Sequence, residues 1–477
     1  MKTIITTTYI CLMFNRPTYW IIIVVIFIAL RYTFIPLEFT GDSYGYSCEI
    51  LDGELFSAHH LLHKPLFWGL FQFISIFSNK ISPLILFTSI NLIFAILSLY
   101  VLKRILVNRN WDFPAINTAT LFLMGTFVFL KYSFQVEAYT VPIFLSLLGS
   151  LYFEKQKFYT AAIWLGFACL FHQIHIFWLI GLWIVEFIKS KNISAFILGI
   201  CIPIFGYITA SLWLEVPLFD IVFQDVNAGL VTTSFSSKNI FFSGVNLIRS
   251  ITQVHPDLLV YWNIWNPILS GFGIVSMLII AVGIVVYTKE KSISLKKLPL
   301  KNTYLFTILL FISFAVYSVG NIEFMVMLPF LLVLGMPAQK VLKGSSILVF
   351  GIICWNVSQF IYPESKHGIH RLSVVNNFIT ENTNYDSIHI FGDDAHLYVN
   401  YCEYFSKINK ENNFFIGSDS VISDLNNYNS FLIQANNNHI SRSSWNKVSN
   451  NNSEMKFILN YTDSGKLGNL KIVKITN

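Results

Sequence analysis

The chain is divided into long blocks of apolar residues, and their length limits what it can become. Eleven such blocks are read as spans: Tyr19–Leu37, Ser82–Leu106, Ala115–Tyr132, Thr140–Phe153, Phe158–Phe171, Ile174–Ile188, Ile193–Leu214, Trp265–Tyr287, Tyr304–Val319, Phe324–Gly335 and Ser346–Ile361. A helix needs roughly 20 apolar residues to cross the hydrocarbon layer of a bilayer. Hydrophobic residues fill 54% of the 477 positions and charged residues only 12%, about half the charged share of a soluble domain. The fold class that follows is a polytopic α-helical membrane protein with about 11 transmembrane helices. Several blocks are short. The stretch Phe158–Ile188 reads either as one long tilted helix or as two helices meeting near one face. Met1–Asn15 lacks the small-residue cleavage site of a signal peptide, so the first block is read as a retained helix.

Basic residues orient these spans. Lys2 and Arg16 precede the first span, and alternate loops carry Lys103, Arg104 and Arg109, then Lys155 and Lys157, Lys189 and Lys191, a group from Lys289 to Lys301, and Lys340 with Lys343. The other loops carry acids: Glu38, Asp42, Glu49, Asp52, Glu54, Glu137, Glu215, Asp220, Asp225, Asp257 and Glu323. Positive-inside asymmetry puts the N-terminus in the cytoplasm and, after an odd number of spans, the C-terminus outside. The expected location is a multi-pass protein of the cell inner (plasma) membrane. The net charge of +6 is segregated to one side, so it reports topology and not a nucleic-acid partner.

Beyond Ile361 the composition turns to Asn, Ser and Asp. Strand-like runs (Ser387–Phe391, Asn413–Ile416, Ser430–Gln434, Lys456–Leu459, Leu470–Ile475) alternate with helix-like ones (Leu372–Thr380, Ala395–Ile408). Two domains are therefore expected: a transmembrane catalytic domain over 1–361 and a small extracytoplasmic α/β domain over 362–477. The latter has no glycine-rich nucleotide motif. Within the first, outer loop 38–81 and long outer loop 215–263 exceed simple connections. Only Cys48 and Cys402 are placed to meet in an oxidising compartment, and their spacing does not decide whether they pair.

The chemistry-bearing residues gather on the acidic side. Asp42, in Gly41–Asp42–Ser43, opens a helix on which Tyr46 and Glu49 follow one and two turns later. A carboxylate there suits a general base, or a helix N-cap, and the two roles are compatible. His59, His60, His63 and Lys64 precede Pro65 and an apolar helix. Such a basic cluster can hold a lipid phosphate; alternatives are a structural role or a metal site through His59 and His63. H-E-x-x-H is absent, so a divalent metal is chemically possible but unsupported, and no cofactor is implied. Glu137, beside Tyr139, is an ionisable group between two spans and is a functional candidate on that ground. His172 and His175 sit at the apex of the fifth and sixth spans, and Glu323 at the outer end of a late span. Arg249 and His255 in the long loop are weaker candidates.

Together these pieces resemble the GT-C superfamily of membrane glycosyltransferases, and most nearly bacterial proteins similar to protein O-mannosyltransferases. The likeness rests on Gly41–Asp42–Ser43, His63–Lys64–Pro65–Leu66, Glu137–Ala138–Tyr139, and Glu323 before Leu328–Pro329. Two features depart from the pattern: the paired prolines are reduced to Lys64–Pro65, and Glu323–Phe324 replace a basic residue. The resemblance implies inverting transfer of a sugar from a polyprenyl-phosphate donor to a lipid, glycan or protein acceptor outside the cytoplasm. Asp42 would then be the base, His59, His63 and Lys64 would attend the phosphate, and Glu137 would orient hydroxyls. An alternative is a polysaccharide polymerase or ligase of the cell envelope. A lipid-linked-glycan transporter or flippase is a third reading, disfavoured because the acids gather at one face and no internal symmetry is evident.

Overall fold

Among the described residues, the long apolar blocks of the chain are helical. The structure is a computed structural model describing residues 18–37, 39–78, 82–190, 193–222, 236–253, 267–290, 302–317, 322–336, 343–366 and 404, and five strands between 387 and 475. The helix-like runs Leu372–Thr380 and Ala395–Ile408 (Tyr404 apart), His255 and Cys402 lie outside the described residues, as does much of loop 215–263. The chain divides into two compact units. The first comprises Met1–Ile35, Leu55–His255 and Pro267–Tyr362; the second comprises Pro36–Glu54, Pro256–Asn266 and Pro363–Asn477.

The first unit is a helix bundle and marks the chain as a membrane protein. Among the described residues, four helices are long and apolar enough to cross a bilayer: Pro83–Asn108, Ser194–Leu214, Pro267–Lys289 and Gly344–Lys366. Shorter apolar helices cover Tyr19–Thr33, Phe113–Gly125, Thr140–Glu154, Phe158–Phe171, Gln173–Ile188, Tyr304–Tyr317 and Ile322–Gly335. Apolar residues such as Phe272, Leu278 and Val282 point outward, as expected of a surface solvated by lipid.

Two boundaries differ from the hydropathy reading, and a third settles a choice that it left open. The block Ala115–Tyr132 is two helices, Phe113–Gly125 and Phe127–Tyr132, separated by an extended Thr126. The Thr126 hydroxyl donates to the Leu123 carbonyl at 2.7 Å, and Asn356 Nδ2 donates to the Gly125 carbonyl at 2.7 Å. Side chains thus satisfy backbone groups at the break. The block Phe158–Ile188 is likewise two helices, because His172 is extended (φ −157°, ψ 116°) between Phe158–Phe171 and a single 3₁₀ turn, Gln173–His175. The late block begins as a 3₁₀ segment, Ile322–Met327, before the α-helix Leu328–Gly335.

Helices approach closely where glycine permits it. A Cβ on Gly283 of Pro267–Glu290 would stand 2.6 Å from the Leu348 backbone nitrogen, and one on Gly166 would stand 2.8 Å from the Gly199 carbonyl oxygen. Small residues do this work in membranes because lipid offers no hydrophobic drive between helices. The helix Ser237–Ile251 is polar on its buried stripe (Asn239, Ser243, Asn246, Ser250) and apolar on its exposed side (Ile240, Phe241, Phe242, Ile248). That is the reverse of a water-soluble helix.

A buried ionic group ties four helices together at one end of the bundle. Arg109 pairs with Glu154 through both Nε and a terminal nitrogen, and its Nη1 donates to the Leu334 carbonyl at 2.6 Å. Tyr304 Oη donates to Glu154 at 3.0 Å, and the Arg109 guanidinium lies over the Tyr304 ring at 5.2 Å from its centroid.

In the second unit the helix Gly41–Asp52 is capped at its start by Thr40, whose hydroxyl accepts from the Ser43 backbone N–H at 3.2 Å. It ends at Gly53, whose left-handed φ of 79° lets its N–H reach the Glu49 and Ile50 carbonyls; a side chain there would be strained. The five strands β1 Ser387–Phe391, β2 Phe414–Ile416, β3 Ser430–Gln434, β4 Lys456–Asp463 and β5 Lys466–Ile475 form one mixed sheet in the order β2-β1-β3-β5-β4. β1 is parallel to β2 and β3, whereas β5 is antiparallel to β3 and β4. The β4–β5 hairpin extends past the apolar runs to the pair Asp463 and Lys466.

Removing one partner of the buried ion pair leaves an uncompensated charge, which costs about 3–5 kcal/mol. Arg109→Met is therefore expected to lower the melting temperature of the detergent-purified protein sharply. Adding Glu154→Leu to it should restore most of the loss. Equal melting of wild type and the single variant would show that the pair does not hold the bundle.

Candidate functional site

The first unit gathers most of the residues that the sequence nominates. The segment before the helix His63–Ser75 brings His59, His60, His63 and Lys64 beside the break between Phe158–Phe171 and Ile176–Ser190. Two backbone bonds lash these parts together: Leu62 N–H to the Leu170 carbonyl at 3.1 Å and Gln173 N–H to the His59 carbonyl at 3.3 Å. Gln173 also hydrogen-bonds the His59 ring through its side-chain amide. The imidazoles of His60 and His172 meet edge to face with centroids 4.5 Å apart. His59 and His63 flank His60 at 6.2 and 6.3 Å, and His175 lies 6.3 Å from His172.

Tyr139 joins this cluster to two further segments. Its ring is 5.2 Å from that of His172 and 5.5 Å from that of Tyr132, and its hydroxyl donates to Glu323 Oε2 at 3.2 Å. The short loop that carries Glu137 and Tyr139 is held from below by Asn91. That side chain donates to the carbonyls of Gln135 and Glu137, the latter at 3.0 Å, and accepts from the Thr140 hydroxyl at 2.7 Å. Glu137 is 2% exposed and Lys64 3% exposed, so both carry ionisable ends in a largely covered environment.

Burial changes what the histidines are. Burial first, then the neighbouring His59, pushes His60 down to about 3. Burial also holds His63 and His172 well below the usual imidazole range, with the other imidazoles adding to it. His60, His63 and His172 are neutral at physiological pH and offer N–H donors and nitrogen acceptors, not a block of positive charge. Within it Lys64 is the cationic member, and its charge bears on His60 and His63. No group of three His, Cys, Asp or Glu side chains among the described residues is arranged to hold a metal ion.

Asp42, Tyr46 and Glu49 lie on the helix Gly41–Asp52 of the second unit. They share its more open face: Asp42 is exposed, Tyr46 and Glu49 are half-buried, and Ser43, Tyr44, Ser47 and Cys48 are buried behind them. Asp42 stands within the first turn. The N-cap reading of Asp42 is corrected, because Thr40 takes that position. Arg249 bonds Asn246 Oδ1 at 3.0 Å and Gln253 Oε1 at 3.1 Å, bracing its own helix end.

Sequence reasoning passed over Asn91, Gln173 and Ser146. Asn91 was detectable as an amide inside an apolar 26-residue helix, Pro83–Asn108, where polar residues have a reason to be. Gln173 stood in plain view between two histidines. Ser146, which bonds His175 Nδ1 at 2.7 Å, gave no signal apart from helical phase.

No protein-family model matches the chain, and no curated protein matches it in sequence. Solved structures do match. The structure of ArnT from Cupriavidus metallidurans bound to undecaprenyl phosphate superposes with a TM-score of 0.54 at 10% identity, over 97% of this chain and 99% of that one. The apo form of the same protein gives 0.50 at 11% identity, over 96% and 98%. At this identity the likeness establishes the fold alone: the chain has an ArnT-like fold.

Two outcomes follow from the site geometry. Asn91→Leu removes three hydrogen bonds and strands two buried carbonyls, at about 1–3 kcal/mol each; thermal unfolding should fall accordingly, and an unchanged melting temperature would deny Asn91 its role. The depressed imidazoles stay neutral in the folded protein but take up protons in the unfolded chain below about 6.5. Protons therefore favour unfolding, and stability is complete above pH 6.5 and declines as pH falls toward about 3, where His60 protonates. Melting followed from pH 7.5 to pH 5 should show this slope, and His60→Asn should flatten it.

Proposed function

We propose that this chain is an integral-membrane glycosyltransferase that moves a sugar from a polyprenyl-phosphate-linked donor to an extracytoplasmic acceptor. The observation that carries the reading is the ArnT-like fold along nearly the whole chain, shared with a protein captured with undecaprenyl phosphate. The positions of the clustered residues support it. A lipid-linked donor lays its tail along apolar helices and brings its phosphate and sugar to the polar end of the bundle.

In this reading the reaction is a single displacement with inversion. Asp42, assigned from its Gly41–Asp42–Ser43 setting, takes the proton from an acceptor hydroxyl as that oxygen bonds to the anomeric carbon. The bond from that carbon to the phosphate oxygen breaks, and its electron pair leaves with polyprenyl phosphate. Lys64 meets the phosphate charge, and the imidazoles of His59, His60 and His63 supply hydrogen bonds around it. Glu137 orients hydroxyls of the sugar or acceptor, and Tyr46 and Glu49 serve the acceptor side beside Asp42. The N-terminus is cytoplasmic, and the unit holding the sheet is extracytoplasmic.

Purified protein incubated with a panel of polyprenyl-phosphate sugars and mixed envelope acceptors should release polyprenyl phosphate, read by mass spectrometry. Release from none of the donors would overturn the proposal. Asp42→Asn should lower turnover by roughly 10²–10⁴-fold with insertion intact. Full activity in that variant would remove Asp42 as base and favour a polymerase or ligase. Lys64→Met should weaken binding of polyprenyl phosphate more than it slows bound donor.

A further inference from the structure

We infer that the corner formed by His172, Tyr139 and Glu323 is the subsite for the sugar ring of the donor, with the Nε2–H of His172 as its hydrogen-bond donor. The inference rests on the transferase reading above and adds a division of labour within the site. Its first support is an unfilled hydrogen bond. His172 Nδ1 accepts from the Ile174 backbone N–H at 3.4 Å, which places the ring proton on Nε2. That nitrogen is fully covered and has no partner among the described residues, although the side chain is only 5% exposed. A buried donor without an acceptor is costly to keep, and a bound acceptor relieves it.

The second support is the company that His172 keeps. Its ring faces the Tyr139 ring at 5.2 Å and the His60 ring at 4.5 Å, and the Tyr139 hydroxyl is bonded to Glu323 at 3.2 Å. A neutral N–H, an aromatic face and a carboxylate suit a pyranose. Sugar hydroxyls accept from the first and donate to the last, and the C–H face of the ring lies on the second. A phosphate is poorly served there, because Glu323 would repel it. Lys64 bears instead on His60 and His63, whereas the charges that bear on His172 are those of the other imidazoles. The phosphate and the sugar are thus read by different groups, with His60 between them.

The test compares two ligands that differ only by the sugar. Native mass spectrometry of detergent-purified protein would measure affinity for undecaprenyl phosphate and for a panel of undecaprenyl-phosphate hexoses and N-acetylhexosamines. Wild type should bind one glycosylated lipid at least about tenfold more tightly than the bare lipid. His172→Phe should abolish that preference and leave bare-lipid affinity within about twofold. His172→Gln, which keeps an N–H, should retain part of it. Tyr139→Phe keeps the ring and loses the hydroxyl that bonds Glu323, so it carries the test if His172→Phe does not purify as a single species. Equal weakening of both lipids by these variants, or an unaltered preference, would overturn the subsite. Wild type that binds the bare lipid without any sugar preference overturns the subsite alone. Wild type that binds neither lipid overturns the donor assignment, and the subsite falls with it.

Discussion

Asn91 lies within an apolar helix and satisfies three polar groups of another segment, the carbonyls of Gln135 and Glu137 and the hydroxyl of Thr140. In the membrane interior those groups have no water to turn to, so the loop between Tyr132 and Thr140 can enter the bundle only where an amide meets it. The rest of the polar end follows from that entry. The loop carries Glu137 and Tyr139 inward; Tyr139 then bonds Glu323 from a segment far along the chain and faces His172 from a third. A site of this kind is assembled from helix ends, and its geometry is only as firm as the contacts that fix those ends relative to one another.

The helix Thr140–Glu154 shows how the ends are fixed. Thr140 is anchored to Asn91 at its start, and Glu154 to Arg109 and Tyr304 at its finish, about 20 Å along the axis. Between them Ser146 bonds His175, and Ser150 accepts from Trp178 Nε1 at 3.0 Å. These four positions form one inward stripe on an otherwise apolar helix. Hydrophobic burial cannot set helical phase in lipid, since tails solvate any apolar face equally well; hydrogen bonds and close packing must set it. The stripe locks rotation and height together, and it does so at the helix beside which the histidines lie.

Much of this was legible in the sequence, and what was not has physical causes. Long apolar runs announce helices, so the helical segments fall where hydropathy places them. Hydropathy counts apolar length and is blind to breaks made by hydrogen bonds. Thr126 interrupts a run that looks continuous because its hydroxyl takes up a backbone carbonyl. In the second unit, strand runs such as Ser387–Phe391 and Ser430–Gln434 were visible through their β-branched and aromatic residues. The outer half of the β4–β5 hairpin was not, because Asn460, Thr462 and Asp463 pair through backbone and carry no apolar signal. Among site residues, Glu137, Tyr139, His172 and Glu323 stood out as polar groups at span ends. Their mutual contacts did not, because Tyr139 and Glu323 are 184 positions apart, and no local pattern encodes that meeting.

The histidine cluster is where counting residues and placing them give different chemistry. Read along the chain, His59, His60, His63 and Lys64 form a basic patch suited to holding an anion by charge. Packed with His172 against apolar walls, the imidazoles cannot share positive charge: each one protonated would raise the cost for the next, and burial has already taken away the water that would screen them. What remains is Lys64 and the neutral rings of His60, His63 and His172, whose nitrogens donate or accept according to tautomer. A cationic patch would bind the charged product of a phosphate-releasing reaction most tightly of all and would slow its departure. A neutral cluster with a single cation discriminates less by charge and more by direction, since each N–H points along one line. The more of the cluster that is buried, the more its selectivity must come from where those lines converge.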